Sequence, residues 1–405
     1  MALAEQTFRF CMPSTSLLGV GSSKAAGVEL KALGASNTLI VTDKVLVKLG
    51  VADNMKALLE AAGVHAVIFD GVVPDPTEAA VAEGVKAYQL NKCDALLSLG
   101  GGSAHDSAKA IGVVATHGGR ISDYAGPNHC KKALPPFVAV NTTAGTGSEV
   151  TCIAVISSPD HVKYGVVDLR LIPAVAINDP LLMAGMPPGI TAATGMDALT
   201  HAVEAYVSTA HNTASDCFAL GAIELVARYL RRAVADGQDI EARDKMSYAE
   251  FLAGMAFSIA SLGLVHAMAH PPGGKLNLPH GVCNAICLPI VCEFNMTANP
   301  ERYAAVARAL GEDVTGLTPL EAAGKGVAAM RQLSKDIGIP SGLAELGVKE
   351  SDLPVLAEMS MTDPCMPTNP RVASKKDVIE LFKLALGEPL AAAAQKQQPP
   401  TGGAR

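Results

Sequence analysis

The segment ALLSLGGGSAHDSAKAIGVVA, residues 95–115, decides the fold, because it combines a short apolar strand, a glycine loop and a helix. Apolar runs of similar length recur through the first half of the chain, and helical patterns separate several of them. Strands that are apolar on both faces and alternate with helices are typical of a parallel sheet with crossover connections. The predicted strands are 37–43, 65–70, 95–99, 137–141 and 174–178, the predicted helices are 44–62, 77–90 and 103–115, and a further strand pair is predicted at 150–157 and 163–168.

The pattern changes near Pro187-Pro188-Gly189, and beyond it almost no strand signal remains. Helical patterns follow at 191–208, 213–233, 240–261, 302–310, 321–337 and 376–386. The sequence therefore predicts an α/β domain with a Rossmann-like parallel sheet over residues 1–186 and an all-α domain over residues 187–390, with a ligand-binding cleft between them. The final segment, AAAAQKQQPPTGGAR at 391–405, is low in complexity and is predicted to be disordered.

Composition excludes several classes of protein. The 405 residues are 49% hydrophobic and 18% charged, and the net charge of −7 gives no basic excess that would favour nucleic acid or an acidic membrane surface. No run of about 18 apolar residues predicts a membrane span. Nine cysteines, an odd number without a Cys-x-x-Cys pair, indicate a reduced, cytoplasmic compartment. A homo-oligomer is expected, with a dimer as the default.

Two polar loops follow predicted strands. Glycines in Gly100-Gly101-Gly102-Ser103 let backbone N–H groups approach an anion at a helix N-terminus. The spacing matches neither Gly-x-Gly-x-x-Gly nor the P-loop, and a tight turn with Ser103 as N-cap is the alternative. The second loop, NTTAGTGSE at 141–149, carries hydroxyls suited to a diphosphate or a ribose, or else forms an ordinary turn. Two such loops at one sheet edge predict a dinucleotide site.

Asp43 lies at the end of the first strong strand. A carboxylate there accepts hydrogen bonds from both ribose hydroxyls and repels a 2′-phosphate, which favours NAD over NADP. The structural alternative is that Asp43 caps the helix that starts at Lys44. The sequence leaves both interpretations open.

A set of histidines and one aspartate lies in apolar surroundings in the second half. Asp197 and His201 are four residues apart, as are His266 and His270, and His280 follows in LPHG. Residues four apart share one face of a helix, and a buried Asp or His is costly unless it is paired or coordinated. One carboxylate with several imidazoles is a ligand set for a divalent metal. Core histidines with ordinary hydrogen-bond partners are the alternative.

The sequence resembles the iron-containing (group III) alcohol dehydrogenases from about Phe8 to about Leu386. The matching segments are GGGSAHDSAKAIG (100–112), NTTAGTGSEVT (141–151), INDPLL (177–182), TAATGMDALTHAVEAY (191–206) and VHAMAH…LPHGVCNAICLP (265–289). The resemblance implies a dinucleotide-binding domain followed by a helical metal-binding domain. It also implies a metal-dependent, NAD-linked oxidoreductase that interconverts a small primary alcohol or diol with its aldehyde by hydride transfer.

The resemblance also assigns roles to individual residues. It implies Fe(II) as the metal, although imidazole ligands suit Zn(II) equally well. The implied metal ligands are Asp197, His201, His266 and His280, and His270 is the implied proton-transfer residue. The implied cofactor residues are Gly100, Gly101, Gly102, Ser103 and Asp106 at the diphosphate, Thr142, Thr143 and Thr146 in the second loop, Lys163 near the nicotinamide, and Asp43 for selection of NAD.

Three departures from the family pattern concern the pocket. Pro271 and Pro272 remove backbone donors and predict that the helix ends near His270. Lys275 stands where an aromatic residue of the substrate pocket is expected, and Asp75 stands where Asn is more usual. The rival hypotheses are a dehydroquinate synthase-like or glycerol dehydrogenase-like metal enzyme of the same superfamily, and a catalytically silent scaffold.

Overall fold

A computed structural model describes residues 7–160 and 162–387, so the predicted disordered tail at 391–405 lies outside the described residues. The first half alternates strands and helices, as the sequence predicts. Its elements are β1 Thr15–Leu18, α1 Ala26–Ala32, β2 Asn37–Val41, α2 Lys44–Lys48, α3 Val51–Ala61, β3 His65–Phe69, α4 Glu78–Leu90, β4 Ala95–Gly100, α5 Gly102–His117, β5 Gly126–Pro127, β6 Phe137–Asn141, β7 Ile153–Ser157, β8 Lys163–Val167 and β9 Val175–Asn178.

The main sheet has six strands in the order β1-β9-β6-β4-β2-β3. All of its strand pairs are parallel, which confirms the predicted α/β fold. Gly100 at the end of β4 is in register with Asn141 at the end of β6. The two polar loops therefore leave the sheet side by side. A smaller sheet, β5-β8-β7, contains the predicted strand pair as the antiparallel strands β7 and β8.

Helices cover both faces of the main sheet, because side chains alternate between the faces along each strand. Ile40 and Leu97 pack with α1 and α3 on one face. Leu39 and Leu96 pack with α4 and α5 on the other face. The central strands β4 and β6 are buried along their whole length, which explains their continuous apolar sequences.

The second half is helical, as predicted. Its helices are α6 Pro188–Val207, α7 Thr213–Ala235, α8 Ile240–Ala260, α9 Leu264–Leu276, α10 His280–Asn295, α11 Pro300–Ala309, α12 Pro319–Asp336, α13 Leu353–Met361 and α14 Lys375–Leu386. Helix α6 packs against α7, α8 and α10 and lies at the centre of this half. Among the described residues, no single helix has the length and apolar character of a membrane span, although α8 and α9, bent by 106° at their junction, pass that test as a pair.

Helix α9 contradicts one prediction. It continues to Leu276 with Pro271 and Pro272 inside it, so the expectation that it ends near His270 is wrong. Each proline lacks one backbone donor, but both side chains are buried among the packed helices. Tertiary packing therefore overrides the local preference, and α9 ends instead at Asn277, which has φ +55°.

Candidate functional site

The two polar loops form a tight cradle at the ends of β4 and β6. A Cβ atom on Gly101 would lie 2.7 Å from Thr143 Oγ1, and one on Gly102 would lie 2.9 Å from Thr146 Cγ2. A side chain at either position would therefore displace a threonine of the second loop. Helix α5 begins at Gly102 with Gly101 as its N-cap and without a side-chain cap, so the alternative in which Ser103 caps the helix is wrong. Uncapped amides at a helix start suit an anion such as a diphosphate.

Asp106 anchors the second loop. Its Oδ1 accepts a hydrogen bond from Ser148 Oγ at 2.6 Å, and its Oδ2 accepts one from the backbone N–H of Val155 at 3.0 Å. One turn further along α5, the Lys109 ammonium donates to Ser148 O at 2.6 Å and to Ile153 O at 2.7 Å. Burial raises the pKa of Asp106, and Lys109 opposes that shift. Both side chains therefore fix the loop against α5 and β7.

Asp43 caps helix α2, as one of the two interpretations predicts. Its Oδ1 accepts hydrogen bonds from the backbone N–H groups of Val45 at 2.7 Å and Leu46 at 3.0 Å. Both of these hydrogen bonds go to Oδ1, so the other carboxylate oxygen of Asp43, Oδ2, is not used by the cap. The capping geometry therefore leaves one carboxylate oxygen for a ribose, and that second role stays a prediction.

The structure brings the four candidate metal ligands together from three helices. Asp197 and His201 lie on α6, His266 lies on α9 and His280 begins α10. Ligating atoms of Asp197, His201 and His266 all lie within 4.8 Å of one another. His280 Nε2 lies 3.6 Å from Asp197 Oδ1.

Two of the histidines are oriented by acceptors outside the cluster. His201 Nδ1 lies 3.2 Å from the carbonyl oxygen of Gly145, which belongs to the second cofactor loop. His266 Nδ1 lies 2.6 Å from Glu204 Oε2. When Nδ1 carries the proton and donates it to such an acceptor, Nε2 keeps its lone pair for a metal.

Glu204 is a site residue that the sequence analysis did not select. It lies on α6 and also accepts a hydrogen bond from the backbone N–H of Val265 at 2.6 Å. Burial raises its pKa to about 8, and the backbone donors oppose that shift. Its spacing of three residues from His201 was visible in the sequence, but its contact with His266, 62 residues away, was not.

The environment of Asn284 tests whether the cluster fits a cation. Its Nδ2 lies 2.7 Å from Asp197 Oδ1, 3.1 Å from His266 Nε2 and 3.0 Å from His280 Nε2. An amide nitrogen has two hydrogens, so it cannot satisfy three acceptors. Burial lowers the pKa of His266 and of His280 well below the usual range, so both rings are neutral and offer lone pairs. The donor set therefore fits a divalent metal ion.

His270 lies beside this cluster and not within it. Its ring stacks on that of His280 with centroids 5.2 Å apart, and its Nδ1 lies 2.7 Å from Asp363 Oδ2. Asp363 in turn accepts a hydrogen bond from the backbone N–H of Cys365 at 2.8 Å. Asp363 is the second site residue that the sequence analysis missed, because nothing in the local sequence links it to a histidine 93 residues away.

Of the residues that depart from the family pattern, Asp75 contacts Lys163, whereas Lys275 lies on the surface. Lys163 begins β8, and its Nζ lies 2.6 Å from Asp75 Oδ1. Lys275, expected in the substrate pocket, is exposed. An aromatic side chain, Phe257 on α8, lies next to the candidate metal ligands, and its ring stacks on that of His201 with centroids 4.5 Å apart.

A buried pair of carboxyl groups connects the two halves of the chain. Glu250 on α8 accepts hydrogen bonds from the backbone N–H of Gly147 at 2.7 Å and from Asn141 Nδ2 at 3.1 Å. Glu149 accepts one from Asn178 Nδ2 at 3.1 Å. Burial raises the pKa of both carboxyl groups, and Glu149 raises that of Glu250 further. The pair therefore retains a proton and ties the second cofactor loop to the helical half.

Comparison with known proteins gives matches over nearly the whole chain. Residues 13–180 match the family described as iron-containing alcohol dehydrogenase, and residues 191–386 match the Fe-containing alcohol dehydrogenase family, C-terminal. The NAD-dependent methanol dehydrogenase of Bacillus methanolicus is 48% identical, over 93% of this chain and 99% of that protein. The 1,3-propanediol dehydrogenase of Klebsiella pneumoniae is 47% identical, over 95% of this chain and 100% of that protein.

The solved structures include a close match to the fold. The crystal structure of a 1,3-propanediol oxidoreductase superposes with a TM-score of 0.93 at 48% identity. The superposition covers 94% of this chain and 100% of that one. The sequence and the fold therefore point to the same group of relatives.

Proposed function

The chain belongs to the iron-containing alcohol dehydrogenase family and is an NAD-dependent alcohol dehydrogenase, and we propose that its substrates are small primary alcohols or diols and their aldehydes. The observation that carries the proposal is the position of the metal-ligand cluster beside the second cofactor loop. Gly145 of that loop and His201 of the cluster lie within hydrogen-bond distance. Cofactor and metal chemistry are thus expected at one place.

Asp197, His201, His266 and His280 would hold a divalent ion, which is Fe(II) by family resemblance, with Zn(II) equally compatible with the ligands. When bound, the ion supplies Lewis acidity toward the oxygen of the alcohol or aldehyde, and NAD accepts or returns the hydride. Glu204 and the Gly145 carbonyl contact the Nδ1 atoms of His266 and His201, and as hydrogen-bond acceptors they would leave the Nε2 lone pairs available for the ion.

The remaining proposed roles concern the cofactor and the proton. The proposed diphosphate cradle consists of Gly100, Gly101, Gly102 and Ser103 on one side and Thr142, Thr143 and Thr146 on the other. Asp106 holds this cradle in place through its hydrogen bond with Ser148. Lys163 is proposed at the nicotinamide end, and Asp43 at the adenosine ribose. His270 is proposed to take the alcohol proton at Nε2, because its Nδ1 is held by Asp363.

We further propose a cytoplasmic location and a homo-oligomer. The nine cysteines are all free, which suits a reducing compartment. Phe8, Phe10 and Met12 lie just before the edge strand β1 and are 37%, 42% and 45% exposed. Exposed apolar side chains beside a sheet edge favour contact with a second copy, and a dimer is the commonest closed arrangement.

An alcohol panel tests the proposed function. Protein loaded separately with Fe(II) and with Zn(II) is assayed with NAD and with ethanol, propanol, butanol, 1,2-propanediol and 1,3-propanediol, and NADH absorbance is followed. We expect sustained NADH formation with at least one of these alcohols. A lyase that uses NAD only transiently would give no net NADH, and a silent scaffold would give none with either metal, so either result would contradict the proposal.

A further inference from the structure

The loop before α4 carries the Asp75 carboxylate on a conformationally restricted backbone. Asp75 lies between Pro74 and Pro76 and has φ +53°, in the left-handed region that few residues other than glycine adopt. Each proline fixes its own φ and restricts the residue before it. The two prolines therefore restrict the backbone at Asp75, and Asn or Asp are among the residues that tolerate this backbone conformation best.

The Asp75 carboxylate forms an ion pair with a largely buried lysine. Lys163 Nζ lies 2.6 Å from Asp75 Oδ1, and the two side chains are 15% and 43% exposed, respectively. Within the described residues, Asp75 supplies the one hydrogen-bond acceptor of this ammonium group. A cation that is mostly out of water and has a single anionic partner depends strongly on that partner.

The pair lies where the α/β half meets the helix that carries two of the site histidines. A Cβ atom on Gly273 would lie 3.6 Å from Lys163 Nζ. Gly273 is one turn beyond His270 on α9, the helix that also contains His266. The ion pair thus lies against α9 one turn beyond His270, the proposed proton-transfer residue.

The charges of the two side chains and their exposure determine which substrates the ion pair favours. Lys163 alone would place an uncompensated cation beside the reaction site and would attract any anionic group there. Asp75 compensates that charge, so that Lys163 does not attract an anion, and its carboxylate is the more exposed of the two charged groups. A substrate with its own carboxylate or sulfonate is therefore repelled, whereas a hydroxyl group can donate a hydrogen bond to the carboxylate.

We propose that Asp75, through its ion pair with Lys163, is a specificity-determining residue that excludes aldehydes bearing a second, negatively charged group and admits neutral or hydroxylated ones. This inference rests on the proposed function, because it concerns the substrate of the same site. It adds the class of compound that the site rejects and the side chain that rejects it.

The test compares two aldehydes of equal chain length, butanal and 4-oxobutanoate, at saturating NADH. Asp75→Asn keeps the shape of the side chain and removes its charge. We expect the ratio of kcat/KM for 4-oxobutanoate to kcat/KM for butanal to rise about ten-fold in Asp75→Asn, and to fall back toward the wild-type ratio at high salt. Saturating NADH removes any effect of the substitution on cofactor affinity from this ratio.

Glu78→Gln is the matched control. It removes the same charge three residues away, where Glu78 Oε1 contacts Tyr164 OH at 3.0 Å instead of Lys163, and its ratio should equal that of the wild type. An unchanged ratio in an active Asp75→Asn protein, with or without a shift in the KM for NADH, would overturn this inference alone. Failure of the wild-type protein with butanal and with every alcohol of the panel would instead contradict the proposed function. Asp75→Gly, which accepts a positive φ, replaces Asp75→Asn if that variant does not fold.

Discussion

Glu204 lies 2.6 Å from the Nδ1 atom of His266, a proposed metal ligand, and a hydrogen bond there would leave Nε2 available for the proposed ion. Glu204→Gln keeps the size of the side chain and replaces the carboxyl group by an amide, which is a weaker acceptor for the Nδ1 proton of His266. We expect metal affinity to fall about 10–100-fold, measured by competition with a chelator. Glu224→Gln, at an exposed position on α7, is the control and should bind metal as the wild type does. Equal affinity in both variants would remove Glu204 from the metal site.

Asp363 has the corresponding relation to His270, with its Oδ2 2.7 Å from His270 Nδ1. Asp363→Asn would allow the ring to adopt the wrong tautomer for proton transfer at Nε2. We expect kcat to fall about 100-fold with little change in metal content, because a positioned base contributes about 10²–10⁴-fold. Cys365→Ser keeps the backbone N–H that donates to Asp363 and should remain near the wild-type rate. A normal kcat in Asp363→Asn would show that Asp363 does not position the base.

Asp43 caps helix α2 and is also proposed to contact the adenosine ribose, and one substitution distinguishes these two roles. Ser caps helices as well as Asp does, so Asp43→Ser should leave the melting temperature almost unchanged. Because the variant lacks the charge that repels a 2′-phosphate, we expect its kcat/KM with NADP, relative to that with NAD, to rise. Steady-state kinetics with both cofactors measure this ratio. If the ratio stays at the wild-type value, capping is the whole role of Asp43.

At the scale of elements, the loop after β4 and the loop after β6 depend on each other, because a Cβ atom on Gly101 would lie 2.7 Å from Thr143 Oγ1. Gly101→Ala should displace the second loop and raise the KM for NAD, by about ten-fold or more, since the backbone can no longer approach the diphosphate. Gly324→Ala on α12 has no heavy atom within 4 Å of the added Cβ and serves as the control. An unchanged KM in Gly101→Ala would place the diphosphate elsewhere.

The elements that the sequence predicted correctly carry their signal locally. Strands β4 and β6 are short apolar runs followed by glycine or hydroxyl residues, and α6 shows Asp197 and His201 at helical spacing. Two features that it missed depend on distant contacts. Strand β1 is held by β9, more than 150 residues later, and α9 continues through two prolines because packing compensates for the lost donors. The predicted helix 44–62 divides at Gly50, which has φ +74°.

The site shows the same division between local and distant information. Residues on one helix face, such as His266 and His270, can be selected from spacing. Their partners Glu204 and Asp363 lie 62 and 93 residues away, so only the folded chain reveals them. Asn284 illustrates the point in a third way, because its four-residue spacing from His280 is visible but its contact with Asp197 is not.

At the scale of the whole molecule, the Glu149–Glu250 pair joins the cofactor loop to the helical half. The folded-state pKa of Glu250 is raised well above its usual value, by burial first and by Glu149 next. A carboxyl group with a raised folded-state pKa stabilises the protein fully below its unfolded pKa, and that stability is lost as the pH rises toward the folded-state value.

Glu250→Gln removes this dependence while keeping an oxygen for the N–H of Gly147. We expect the melting temperature of the variant, relative to the wild type, to be higher at about pH 8 than at about pH 5. Thermal unfolding at the two pH values measures the difference. A constant difference between variant and wild type would mean that Glu250 does not retain its proton in the folded protein.

The central claim is that Asp197, His201, His266 and His280 hold one divalent ion. Anomalous diffraction from crystals of metal-loaded protein, recorded at the absorption edge of the metal, tests this claim most directly. We expect one peak per chain, at about 2.0–2.2 Å from a carboxylate oxygen of Asp197 and from one ring nitrogen of each of the three histidines. A fully loaded crystal with no peak there, or with its peak at other residues, would show that these four side chains do not hold the ion.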